Sequence, residues 1–241
     1  MDLAQAPAIP NSSDSKFKPV APAWHTMILL VVLLGFSVLG LLFADRASTG
    51  RPHMHVIQYG VTIAFEWATA AFVWFGARLR GVRIAELVGG KWASYLDVLL
   101  DIGIGIAFLI VAGIVLQLVG YLLKAAPNQA LKNLLPMGRT ETMLWVVMSF
   151  SAGFCEELVF RGYFQRQFSA LTQSAAGGIL LQGICFGAAH GYQGWRLMTV
   201  IAVFGTMFGL LAQWRHSTRP GMITHAVQDT LGGLFGRHLM H

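Results

Sequence analysis

Long apolar runs separated by short polar stretches make up almost all of the chain after its first two dozen residues. The first run, about 26–44 with MILLVVLLGFSVLGLLF at its centre, is too long for the apolar part of a signal peptide and long enough to span a bilayer. It predicts an uncleaved membrane helix, with Lys16 and Lys18 ahead of it. Further runs predict helices near 56–76, 98–120, 142–164, 174–192, 196–214 and 220–238. Each needs about 20 residues to cross ~30 Å of hydrocarbon. The expected fold is therefore all-α, a polytopic transmembrane bundle of about seven helices. Residues 1–23, rich in Pro, Ala, Ser and Asp, read as a disordered tail.

Composition supports this class. Hydrophobic residues make up 55% of the 241 and charged residues only 12%, against about 25% charged in soluble domains. One soluble core of this size could not hide so much apolar surface, whereas lipid can cover it. The net charge of +6 comes from basic residues scattered among apolar runs, which suits anionic headgroups and speaks against nucleic acid as a partner. With the N-terminus on the cytoplasmic side, nine Lys and Arg face that side and seven the other, leaving out Arg161 within a helix. This bias favours the N-in orientation and an integral, multi-pass protein of the cell (inner) membrane. The two cysteines, Cys155 and Cys185, lie in apolar segments and imply no disulfide framework.

Polar residues inside the last runs change the picture. A charge in mid-membrane costs at least ~2.5–3.5 kcal/mol, so residues retained there usually face a cavity and have a partner. Glu157 and Arg161 are four apart on one helix face, acid first, and read as a structural ion pair with no chemistry assigned. That pairing leaves Glu156, about 100° round the helix, without a counter-charge. His190 follows Phe186 by four, and Asp229 follows His225 by four. Taken singly, each could be a hydrogen-bonded core residue. Together, an unpaired carboxylate and two imidazoles on three successive polar-bearing helices form a set able to do acid–base chemistry. With the spans above, Glu156 and His225 fall toward one membrane face and His190 toward the other. Gly183, Gly187 and Gly191 repeat every fourth position, as do Gly205 and Gly209, which predicts close helix approach in this half.

The strings EELVFRGYFQRQF (156–168), FGAAH (186–190) and HAVQD (225–229) resemble, in this order, the EExxxR, FxxxH and Hxxx(N/D) motifs of the CAAX-protease and bacteriocin-processing family of intramembrane glutamic endopeptidases. FGTMFGLLAQWRHSTRPGMITH (204–225) resembles the segment that precedes the third motif. The likeness covers about 140–235, so 141–241 are expected to be the catalytic membrane helices and 24–140 the variable N-terminal ones. The resemblance implies a peptidase that cuts a peptide or a lipidated, membrane-associated protein, without a metal or other cofactor. It implies that Glu156 is the general base on a water, that His190 binds that water, and that His225 with Asp229 forms an oxyanion site, supported by Glu157, Arg161 and Phe186. Asp stands at 229 where many relatives carry Asn. An ionised Asp cannot donate to an oxyanion, so Asp229 is either protonated or orients His225.

Two other readings compete. Glu156, His190 and His225 could ligate a catalytic zinc, although no HExxH supports it. A scaffold or immunity protein could keep the cluster for packing. Outside the motifs, Glu66 lies mid-helix with no basic residue within four positions and is expected to pair with a polar group on another helix. Cys155 with His190 could make a cysteine protease, a reading disfavoured by the adjacent carboxylate. His53 and His55 are expected in a short solvated loop. Trp24, Trp92, Tyr121 and Trp214 are expected to anchor span ends.

Overall fold

The computed structural model describes residues 17–47, 52–125 and 134–239, and among these there is no strand. The helices are α1 (Ala23–Ala47), α2 (Pro52–Arg78), a short α3 (Ile84–Val88), α4 (Tyr95–Leu122), α5 (Arg139–Thr172), α6 (Ala175–Ala189), α7 (Trp195–Arg215) and α8 (Arg219–Leu239). The expected bundle of about seven helices is present, with α3 as an addition. Five of the helices (α1, α2, α4, α5 and α7) are long and apolar enough to cross a membrane.

Two of the expected seven spans, α6 and α8, are not among these five. Fifteen residues of α6 rise only ~22 Å, short of the hydrocarbon thickness. The 21 residues of α8 include Arg219, His225, Gln228 and Asp229 and are too polar to qualify by composition. The run of α5 on to Thr172, beyond its expected end at 164, removes the apparent conflict over depth. Glu156 lies 16 residues before Thr172, where α5 ends, and His190 lies 16 residues after Ser174, where α6 begins. Both are thus ~24 Å from the turn that joins α5 to α6. They sit at one level, not toward opposite faces.

Local chemistry sets the helix ends. Ser94 and Asp97 form a capping box at the start of α4: the Asp97 amide donates to Ser94 Oγ at 3.3 Å, and the Ser94 amide to Asp97 Oδ2 at 2.9 Å. The end of α3 turns through Gly89 at φ +98°, where a Cβ would lie 2.6 Å from Ser217 Cα. Glycine therefore lets α3 dock on the turn between α7 and α8, whose Thr218 amide donates to the Val88 carbonyl at 2.9 Å.

The core gathers on the second half of α5. Leu158, Val159, Phe160, Tyr163, Phe164 and Phe168 pack with Leu29 of α1, Val73 of α2 and Phe186 of α6. By contrast α4 buries only Asp101, Gly105 and Ala112, a stripe on one face, and leaves Leu99, Ile106, Ile110, Ile114 and Leu118 exposed, as a lipid-facing helix should. Trp24, Trp92, Tyr121 and Trp214 are exposed near helix ends.

Two expectations about the N-terminal half change. Of the tail read as disordered, 1–16 lie outside the described residues, but Val20 and Ala21 are buried. Their amides donate to Gln167 Oε1 at 2.6 and 3.1 Å, so a buried glutamine on α5 captures this backbone. His55 is not in a solvated loop. It lies in α2, 5% exposed, with Nδ1 3.2 Å from Glu141 Oε2 of α5. The side chain of His53 lies outside the described residues.

Candidate active site

The first motif sits where α5 changes its winding. Arg139–Glu157 is α-helical and Leu158–Phe164 is a π turn, a widened winding that re-aims side chains and recurs at functional sites. Glu157 and Arg161 face the bundle interior and are 0% and 2% exposed. Arg161 Nη1 donates to Glu157 Oε1 at 2.8 Å, and Nη2 donates to the Gly205 carbonyl of α7 at 3.2 Å. The guanidinium also lies 4.4 Å from the Phe186 ring centre and 4.9 Å from that of Phe208, a desolvated cation–π setting.

His225 is brought in by the first turns of α8, which begins against Glu157: a Cβ at Gly221 would lie 2.8 Å from Glu157 Oε2. Three carboxylates surround the imidazole. Its Nδ1 is 3.2 Å from Glu157 Oε1, while Nε2 is 3.5 Å from Asp229 Oδ2 and 3.8 Å from Glu156 Oε2. A carboxylate only accepts, so Nδ1 carries a hydrogen toward Glu157. Nε2 then points to the two remaining acids, whose side chains keep access to the surroundings at 23% exposed for Glu156 and 33% for Asp229. Glu156 Oε2 is itself buried and has no hydrogen-bond partner. Trp145 Nε1 donates to the Asp229 carbonyl at 2.7 Å, tying α8 to α5 one level further along.

His190 caps α6. Its Nδ1 donates to the Phe186 carbonyl at 2.8 Å, which leaves the Nε2 lone pair of a neutral ring free to accept. Phe186 links the imidazoles, its ring centre 4.9 Å from that of His190 and 6.2 Å from that of His225. Beyond His190 the chain makes a tight turn, Gly191–Gln193. Ser37 of α1 clamps this turn, accepting from the Gly191 amide at 3.0 Å and donating to the Ala188 carbonyl at 2.8 Å. Tyr192 on the turn places its ring 6.1 Å from that of His190, and burial holds its phenol above the usual range.

Glu156, Glu157, His225 and Asp229 thus meet at one point, with His190 joined to them through Phe186. Sequence reasoning missed the contact of Glu157 with His225, the wall made by Tyr192, and Trp145. The first had a visible signal, because Glu157 shares a helix turn with Glu156. Tyr192 and Trp145 had none beyond their closeness in sequence to the motifs.

Two other candidates lie beside the cluster, not in it. Cys155 is 1% exposed and packed in the main core cluster. Glu66 is 6% exposed and lies against Ser151 of α5, with no ion pair among the described residues. No group of three or more His, Cys, Asp or Glu among the described residues is placed to hold a metal ion.

A helical bundle with five membrane-crossing helices and an internal carboxylate–imidazole site defines a polytopic membrane protein built around buried polar chemistry. Residues 138–231 match the domain family described as Type II CAAX prenyl endopeptidase Rce1-like. The match runs from the residue before α5 into α8 and leaves α1–α4 outside. Such a domain is that of a protease, a hydrolase of peptide bonds. Neither a curated protein nor a solved structure matches the chain.

Proposed function

We propose that the protein is an intramembrane glutamic endopeptidase that hydrolyses a peptide bond in a prenylated or otherwise membrane-associated peptide. The observation that carries this reading is the convergence of Glu157, Asp229 and Glu156 on His225 at 3.2, 3.5 and 3.8 Å.

On this reading Glu156 is the general base. It is the one carboxylate of the EE pair without a salt bridge to Arg161, and it has an unpartnered oxygen. A water held between Glu156 and His190 Nε2 gives one proton to Glu156 as its oxygen bonds to the scissile carbonyl carbon. The carbonyl π electrons move to oxygen, and His225, as the imidazolium with one hydrogen toward Glu157 and one on Nε2, stabilises the oxyanion. Glu156 then passes its proton to the leaving amine as the C–N bond breaks, which restores the carboxylate. Glu157 acts through His225: by taking the Nδ1 hydrogen it sets the ring so that Nε2 faces the reacting group. Asp229, on the Nε2 side, is then not needed to orient the ring and, in its protonated form, gives the oxyanion a second hydrogen bond.

Cleavage of a quenched prenylated peptide by purified protein, compared with Glu156→Gln, tests the reading. Cleavage by the wild type that Glu156→Gln removes supports it, and equal rates for both sink it. The same peptide without its prenyl group tells whether the lipid is part of the substrate.

A further inference from the structure

A second polar feature lies along the last turns of α5. A cavity of about 320 Å³ opens between the ends of α5 and α7, the tip of α3 and the segment before α1. Lys18, Arg161, Arg166 and His216 line it, together with Gln165 and Gln213, and none of its lining residues is acidic. The carboxylate of Glu86 is held by Arg83 Nε at 2.7 Å, the Glu86 carbonyl takes one hydrogen of Arg166 at 2.6 Å, and Glu157 pairs with Arg161 at 2.8 Å. Arg161 stands behind this lining: its side chain is fully buried, its charge is met by Glu157, and its Nε has no hydrogen-bond partner among the described residues. The positive charge that a ligand would meet here is carried by Lys18 and Arg166, and it suits an anion.

Its place in the fold narrows the anion. Trp214 and Leu171, 66% and 77% exposed, stand at the same ends of α7 and α5, as residues at a bilayer interface do. Basic pockets between helices at that depth take lipid head groups. A volume near 300 Å³ suits a small ligand, and guanidinium forks match phosphate oxygens. We propose that this cavity binds a phosphate group, carried by an anionic phospholipid or present as free phosphate. The site is distinct from the His225 cluster, and its occupancy does not depend on hydrolysis.

Native mass spectrometry of the purified full chain in neutral detergent, with phosphatidylglycerol and phosphatidylcholine of matched chains, tests the lipid source. Thermal unfolding in sodium phosphate against sodium chloride at equal ionic strength tests the free ion. Lys18→Gln/Arg166→Gln is compared with the wild type, and Lys18→Gln/His216→Gln, which alters only exposed side chains, guards against misfolding. A tenfold or greater loss of phosphatidylglycerol retention in either double variant supports a lipid phosphate. Phosphate protection that both variants lose, without preference among lipids, supports free phosphate. Glu156→Gln should bind as the wild type does, which separates this result from the catalytic reading. Equal binding by wild type and both variants, or no binding by any, overturns the proposal.

Discussion

The Nδ1 atom of His225 lies 3.2 Å from Oε1 of Glu157, and the same oxygen receives Arg161 Nη1 at 2.8 Å. One buried carboxylate therefore spans an arginine of its own helix and an imidazole of another. The ion pair expected from the i, i+4 spacing exists, yet it is not isolated. It is the fixed end of a relay whose free end, Nε2 of His225, faces Glu156 and Asp229.

Arg161→Ala should cost ~3–5 kcal/mol, because Glu157 would stay buried without its partner. A large drop in melting temperature and folded yield is expected. A variant as stable as the wild type would mean that the pair contributes nothing in the membrane. Glu157→Gln keeps the shape and should lower kcat by ~10²–10⁴ through loss of the carboxylate that holds the His225 imidazolium. Its melting temperature should fall less than that of Arg161→Ala.

Glu156→Gln should abolish hydrolysis and leave the fold intact. Gln is nearly isosteric but cannot take a proton from water, and general-base help is worth ~10²–10⁴-fold. Chelators should leave the wild-type rate unchanged. Activity lost to a chelator and restored by zinc would replace the glutamic mechanism with a metal one, whatever the variants do.

Asp229→Asn should keep activity within about tenfold of the wild type, a margin of ~1.4 kcal/mol. Glu157 already occupies Nδ1 of His225, and an amide at 229 can donate where a carboxylate cannot. A loss of a thousandfold or more would show that Asp229, not Glu157, orients the ring.

Gly183→Val should destabilise the contact of α6 with α7. Even a Cβ at 183 would meet the Thr206 amide at 2.9 Å and the Ala202 carbonyl at 3.0 Å, and backbone cannot give way. Overpacking of this kind costs ~1–3 kcal/mol. Gly60→Ala, with nothing within 4 Å of its Cβ, is the control and should melt as the wild type does.

Cysteines placed at Lys18 and Lys91 should be labelled from one side of the membrane. Lys18 and Leu87 line the same cavity, which puts the segment before α1 and the α3 region at one end of the bundle. Labelling from opposite sides would rule out this arrangement.

Much of this was legible in the sequence, and for a local reason. Apolar runs of about 20 residues must become helices in lipid, since no water is there to satisfy backbone groups. Positions four apart share a helix face, so the ion pair of Glu157 with Arg161 follows from winding alone. Contacts between helices follow from no such rule. The choice of Glu157 for Nδ1 of His225 depends on where α8 begins, at Gly221 against Glu157. The shared level of Glu156 and His190 depends on α5 running on to Thr172. The burial of His55 on Glu141, and the capture of Val20 and Ala21 by Gln167, join residues 86 to 147 positions apart. Hydrophobic periodicity determines which side of a helix turns inward. Only the packed bundle, through helix lengths and close approach at glycines, decides which partner waits there.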